Sequence, residues 1–244
     1  MSTASPLITQ AEELANELAE SLSAFLGRDV HFRASTRESR VFVSPADGDP
    51  LTVSVKDRQL LSLQVEYLCR FDHQQRFLAV HSSTIGVHAG ARPKKEPLFR
   101  YEYVYDQHTG LPAAHLHVHA HRDQFTHLMT VASECGVKRR VADENDSVEV
   151  ARLAAIHFPL GGHRFRPSLE DVLQLLEVEF GADVGESWPS RLTSARSTFR
   201  RKQTAAVVRD CPSEAITTLE EMGYSVTNPS DGPRPDRHDR LTAF

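Results

Sequence analysis

Residues 98–121 read LFRYEYVYDQHTGLPAAHLHVHAH. In the first part Tyr101, Tyr103 and Tyr105 recur at every second position, and in the second part His115, His117, His119 and His121 do the same. A period of two belongs to extended chain, in which alternate side chains share a face. Between the two runs, residues 106–112 carry the turn formers Asp106, Gly110 and Pro112. The stretch therefore predicts two antiparallel strands and their turn.

The same grammar extends towards the N-terminus. Residues 40–44 and 51–56 flank a Pro, Asp and Gly turn at 45–50, and residues 60–71 and 76–89 flank a polar turn at 72–75. Consecutive hairpins predict a meandering antiparallel sheet. Ahead of it, Thr9 and Glu12 have capping-box spacing, and Leu14, Leu18, Leu22 and Phe25 keep a helical period up to Gly27. This helix is expected to cover one face of the sheet. Beyond about residue 123 the periodicity becomes helical. Residues 137–149 read as a surface connection and 157–163 as a Pro/Gly loop. Ser168 is expected to cap a helix running to about Phe180, followed by helices at 190–209 and from Pro212 to Gly223. The predicted fold class is α+β, an antiparallel meandering sheet with an N-terminal helix and then a helical C-terminal part. The expected division is residues 1–135, 136–227 and a disordered tail at 228–244, which is rich in Pro, Asp and Arg.

Composition excludes several classes. Hydrophobic residues make up 40% and charged residues 25% of the 244, as in ordinary globular proteins. The formal charge of -5 means that affinity for nucleic acid needs a local basic patch. No secretory signal and no membrane span is expected, and the predicted location is the cytoplasm. Cys69, Cys135 and Cys211 are isolated, so reduced thiols are expected rather than disulfides or a Cys-based zinc site.

Histidine is the unusual residue: eight of the 13 fall between residues 108 and 163. Four imidazoles on one strand face each need polar partners, so that face is expected to be open to solvent or to line a cleft. Three readings fit. The row is a solvated polar face; or two neighbours, about 6.5 Å apart at the backbone, converge on a metal with a third ligand from Asp106, Asp123, His157 or His163; or the histidines perform acid–base catalysis. The last is preferred, with no metal and no cofactor expected, because imidazole exchanges protons near neutral pH. His117 and His119 are the expected acid–base pair, flanked by His115 and His121. Arg100, Arg122, Arg164 and Arg166 are expected to hold phosphate, His157 and His163 to line the site, and Tyr103 to stack on a base. A second candidate surface is the helix at 191–209, where Arg191, Arg196, Arg200, Arg201, Lys202 and Arg209 occur without any Asp or Glu. Arg196, Arg200, Arg201 and Lys202 are its candidate contacts to RNA or an acidic protein.

Two resemblances bear on function. From Thr109 to His119 the chain resembles the histidine-triad signature of HIT nucleotide hydrolases and transferases, which would make His117 a nucleophile towards an α-phosphate. Over a longer span it resembles the TumE-type toxins of bacterial toxin–antitoxin modules. The matching features are Arg100-Tyr101-Glu102-Tyr103, the histidine row, a Phe-Pro loop, and the helix start Ser168-Leu169-Glu170-Asp171. That resemblance implies a growth-inhibiting toxin acting on RNA and neutralised by a cognate antitoxin. The expected function is a toxin-like protein cleaving RNA by metal-independent histidine chemistry. A HIT-like hydrolase and a non-enzymatic regulator binding nucleic acid or protein are the alternatives.

Overall fold

A computed structural model describes residues 6–37, 40–46, 51–71, 77–93, 96–105, 112–119, 158–160 and 164–243. The chain is α+β, as expected. Its elements are α1 (Pro6–Leu26), β1 (Phe32–Arg37), β2 (Arg40–Pro45), β3 (Leu51–Val55), β4 (Arg58–Phe71), β5 (Leu78–Ala89), β6 (Phe99–Val104), β7 (Ala114–Val118) and β8 (Phe158–Pro159). Then come α2 (Leu169–Phe180), α3 (Trp188–Asp210), α4 (Pro212–Glu221) and α5 (His238–Leu241).

The strands form one antiparallel sheet in the order β1-β2-β4-β5-β6-β7-β8, with β3 also on β4. The β4–β5 and β6–β7 hairpins are those that the alternation predicts. The first expected hairpin is different. β2 and β3 pair with opposite ends of β4, Val43 against Tyr67 and Leu51 against Leu63, rather than with each other. The 14 residues of β4 give both short strands a ladder along one edge. Strand β1, which lacks a clean alternation, was not expected; it pairs with β2 along its whole length. Phe158 and Pro159, expected in a loop, form the short final strand against Leu116 and His115. Pro has no backbone N–H to offer a ladder, and its place on the last strand of the sheet fits that lack.

Helix α1 starts at Pro6, so Thr9 lies within it rather than capping it. Pro is favoured at a first helical position because its φ is already helical. Ala11, Ala15, Leu18, Leu22 and Phe25 form its buried stripe at spacings of three and four. The stripe joins Val41, Val43, Val53, Leu63, Val65, Ile85 and Val87 from one face of the sheet in a single core. Leu169, Val172, Leu173 and Leu176 of α2 complete it. Ser168 caps α2 as expected: its Oγ accepts from the Asp171 N–H at 3.2 Å, and its own N–H donates to Asp171 Oδ2 at 3.0 Å. Trp188 at the start of α3 meets Phe25 edge-on at 5.1 Å and donates its Nε1–H to Glu177 at 2.8 Å. Gly185 seats this corner on α1. A Cβ there would lie 2.5 Å from the Ala24 carbonyl oxygen, which no L side chain tolerates.

Cys69 is buried in the core and burial pushes its thiol up to about 12, so it stays protonated; Cys211 is half-buried and also free. Cys135 lies outside the described residues. Where disorder was expected, residues 228–243 carry α5. Arg237 donates its backbone N–H to Asp210, and Arg240 stacks on the Tyr105 ring at 4.0 Å and donates to its hydroxyl. Among the described residues, no helix is long and apolar enough to cross a membrane.

Candidate active site

The register of β6 and β7 decides which side chains meet. Glu102 lies opposite His115 and Arg100 opposite His117. Directly opposed residues of antiparallel strands share a face with Cβ atoms about 4.5–5.5 Å apart. Glu102, Arg100, His115 and His117 therefore stand together on the face away from Tyr101 and Tyr103.

There they form a tight cluster. Glu102 Oε2 is 2.9 Å from His117 Nε2 and 3.3 Å from His115 Nε2. Arg100 Nε is 3.2 Å from the other oxygen, Oε1. The imidazoles of His115 and His117 meet edge-on at 4.9 Å, and His119 follows at 6.4 Å. His115 Nδ1 is 2.8 Å from the Pro112 carbonyl oxygen. A carbonyl only accepts, so Nδ1 carries the proton. The ring is thereby fixed in orientation and turns Nε2 towards Glu102.

Of the two expected settings for the histidine row, open to solvent or lining a cleft, the open one does not hold for His115 and His117. His115 is 2% and His117 5% exposed, while Leu116 and Val118 on the opposite side of the strand are only half-buried. The imidazoles can be sealed because Glu102 and the Pro112 carbonyl satisfy them, which alternation alone could not reveal. Burial by itself would raise the Glu102 carboxyl. The hydrogen bonds of His115 and His117, with the Arg100 charge, outweigh it and hold the group well below the usual carboxylate range. His119 is half-buried. Its burial, followed by the charges of Arg100 and His117, lowers it from the ordinary histidine value. Among the described residues its Nε2 has no hydrogen-bond partner.

Glu102 is the member of this cluster that was not among the expected site residues. The expected third ligands, Asp106, Asp123, His157 and His163, are all turn, loop or later residues. The signal was present in the Arg100-Tyr101-Glu102-Tyr103 strand, where Glu102 alternates with the tyrosines, but only the register assigns it a partner.

The other expected site residues are placed apart from this cluster or lie outside the described residues. Tyr103 is buried with Ala113 and Ala114, and the Arg166 guanidinium stacks on its ring at 3.8 Å. Its ring is thus sheet core and not an open platform for a base. Arg164 is held by Asp210, with Nε at 2.6 Å and Nη2 at 3.3 Å. His121, Arg122, His157 and His163 lie outside the described residues, as do Asp106 and Asp123.

The basic helix is also less bare than its own sequence suggests. Arg196 of α3 donates to Asp171 at 2.8 Å and to Gln174 at 2.7 Å, and Arg200 lies 3.9 Å from the same carboxylate. Lys202 binds Glu17 at 2.6 Å and Arg191 binds Glu20 at 2.6 Å. The compensating carboxylates come from α1 and α2, remote in sequence. Arg201 is exposed.

No protein-family model matches the chain, and neither a curated protein nor a solved structure matches it.

Proposed function

We propose that the chain is a phosphodiester-cleaving hydrolase acting on RNA, with its reacting centre on the Glu102, His115 and His117 face. The observation that carries this reading is the convergence of both Nε2 atoms on Glu102 Oε2 while Arg100 occupies Oε1. A cation beside a cluster of imidazoles is the minimum equipment for holding a phosphate and moving protons around it. His119 is next along the row, and its Nε2 is a buried imidazole nitrogen that no protein group holds among the described residues.

The resemblance to TumE-type toxins supplies the biological setting: a toxin neutralised by a cognate antitoxin, with the exposed Arg201 and its neighbours on α3 as a surface for RNA or for that partner. The HIT-like reading fits less well. It makes His117 the nucleophile, yet His117 Nε2 is 2.9 Å from a carboxylate oxygen and its ring is buried. The attacking nitrogen would first have to leave Glu102.

The test is cleavage of a labelled single-stranded RNA by purified protein, beside a nucleoside phosphoramidate or dinucleoside polyphosphate as HIT-type substrate. Wild type is expected to cleave the RNA, and His117→Ala and Arg100→Ala each to lose about 10²–10⁴-fold in rate with the fold intact. Full RNA cleavage by both variants, or turnover of the nucleotide substrate alone, overturns the reading.

A further inference from the structure

We infer that Glu102, His115 and His117 form a binding site for one divalent transition-metal ion, with zinc the ion that the donors fit best. The inference rests on the reading of this face as the reacting centre and names the cofactor the centre takes. It revises the expectation of metal-independent chemistry, because the strand register places Glu102 beside the histidines.

Three observations carry it. The first is convergence. One ligand atom from each residue lies within 4.8 Å of the others, the sole such group of three among the described residues. Ligand atoms about 2.0–2.1 Å from a tetrahedral zinc stand roughly 3.3 Å apart. Of the Glu102 Oε2 separations, 3.3 Å to His115 matches that spacing and 2.9 Å to His117 is somewhat shorter.

The second is the fixed tautomer of His115. Nδ1–H donates to Pro112, which turns Nε2 towards Glu102 Oε2 at 3.3 Å. His117 Nε2 meets the same oxygen at 2.9 Å. A metal held by all three would replace the hydrogen bonds between these atoms, since metal binding displaces protons from its ligands. An imidazole whose far nitrogen donates to a backbone carbonyl is also how metal-binding histidines are oriented.

The third is the division of the carboxylate. Arg100 Nε lies 3.2 Å from Oε1 as an ion pair, which leaves Oε2 directed at the two imidazoles. Two imidazoles and one carboxylate are borderline donors that suit zinc and its neighbours over magnesium or calcium, which take oxygen sets. Three protein ligands leave one position of a tetrahedral ion open, for water or a phosphoryl oxygen.

The experiment uses the full chain, stripped with chelator and titrated with Co²⁺ under visible absorption, then with Zn²⁺ in competition. The expected result is one equivalent of Co²⁺ with ligand-field bands, displaced by Zn²⁺. Affinity should fall by about 10²-fold or more in Glu102→Gln and in His117→Gln, both near in size to the native residue, with melting curves recording that they fold. No binding at millimolar Co²⁺ or Zn²⁺ by folded wild type overturns the inference, as does undiminished binding in both variants. RNA cleavage at full rate by stripped, cobalt-free protein also overturns it while leaving the hydrolase standing. Stoichiometric cobalt lost in both variants, without RNA cleavage, upholds the metal site and removes the hydrolase alone.

Discussion

On one side of the central strands, Leu63, Val65, Ile85 and Val87 share a core with Leu22, Phe25 and Leu173 from the helices. On the other side, Ser62, His88, His115 and His117 are 0–5% exposed. Both faces hold fully buried side chains, and they differ in how these came to be so. The apolar face gains from every ångström squared removed from water, at about 25 cal/mol per Å². The polar face loses on desolvation and is tolerable only where each nitrogen finds a partner, as His115 does at both ring nitrogens. Burial therefore signals stability on one face. On the other it signals a cost that stability alone does not explain, which is where a functional site is to be sought.

The apolar face should break hardest. Trp188→Ala removes a fully buried indole, its edge contact with Phe25 and its bond to Glu177. The expected loss is about 3–5 kcal/mol in urea or guanidinium unfolding. A loss under about 1 kcal/mol would mean that the corner between α1 and α3 is loosely packed.

The polar face should respond less, and in a different pattern. Glu102→Ala leaves the His115 and His117 Nε2 atoms without their common oxygen, an expected cost of about 1–3 kcal/mol for the metal-free protein. The informative quantity is coupling. Glu102→Ala and His117→Ala, made singly and together, should show an interaction energy of about 0.5–3 kcal/mol, because the atoms are in contact. Additivity would mean that the 2.9 Å contact contributes nothing to folding.

The same contrast explains what was legible in the sequence. Period two in residues 98–121 gave the β6–β7 hairpin, and Ser168 with Asp171 gave the start of α2, because both signals are local. Alternation also put the four histidines on one face. It could not tell which face was sealed, because Leu116 and Val118 read as core but are half-buried while His115 and His117 are shut away. That outcome depends on Glu102, 13 residues upstream of His115, and on a cross-strand register that no single strand encodes. The β2 and β3 strands were legible as strands but not in their pairing, since either could serve the other or the long β4. The charge of α3 misled for a related reason: Glu17 and Glu20 lie more than 150 residues from the cations they neutralise.

The smallest expected effect sharpens the comparison from the surface. Lys202 and Glu17 approach to 2.6 Å, closer than the contacts within the histidine cluster, yet their side chains are 57% and 41% exposed. Distance alone would make this pair the stronger. Water at both groups screens the attraction, and holding two long side chains in one geometry costs rotamer entropy, so exposed pairs contribute about 0–1 kcal/mol. A double-mutant cycle on Lys202→Ala and Glu17→Ala should accordingly give a coupling below about 1 kcal/mol, shrinking further when salt shortens the Debye length from about 10 Å at 0.1 M to 3 Å at 1 M. The Glu102–His117 coupling, between side chains 22% and 6% exposed, should change less over that range of salt. Equal salt sensitivity of the two couplings would show that solvent reaches the Glu102 cluster as freely as it reaches the helix surface, and the distinction between a sealed polar face and an exposed one would fail.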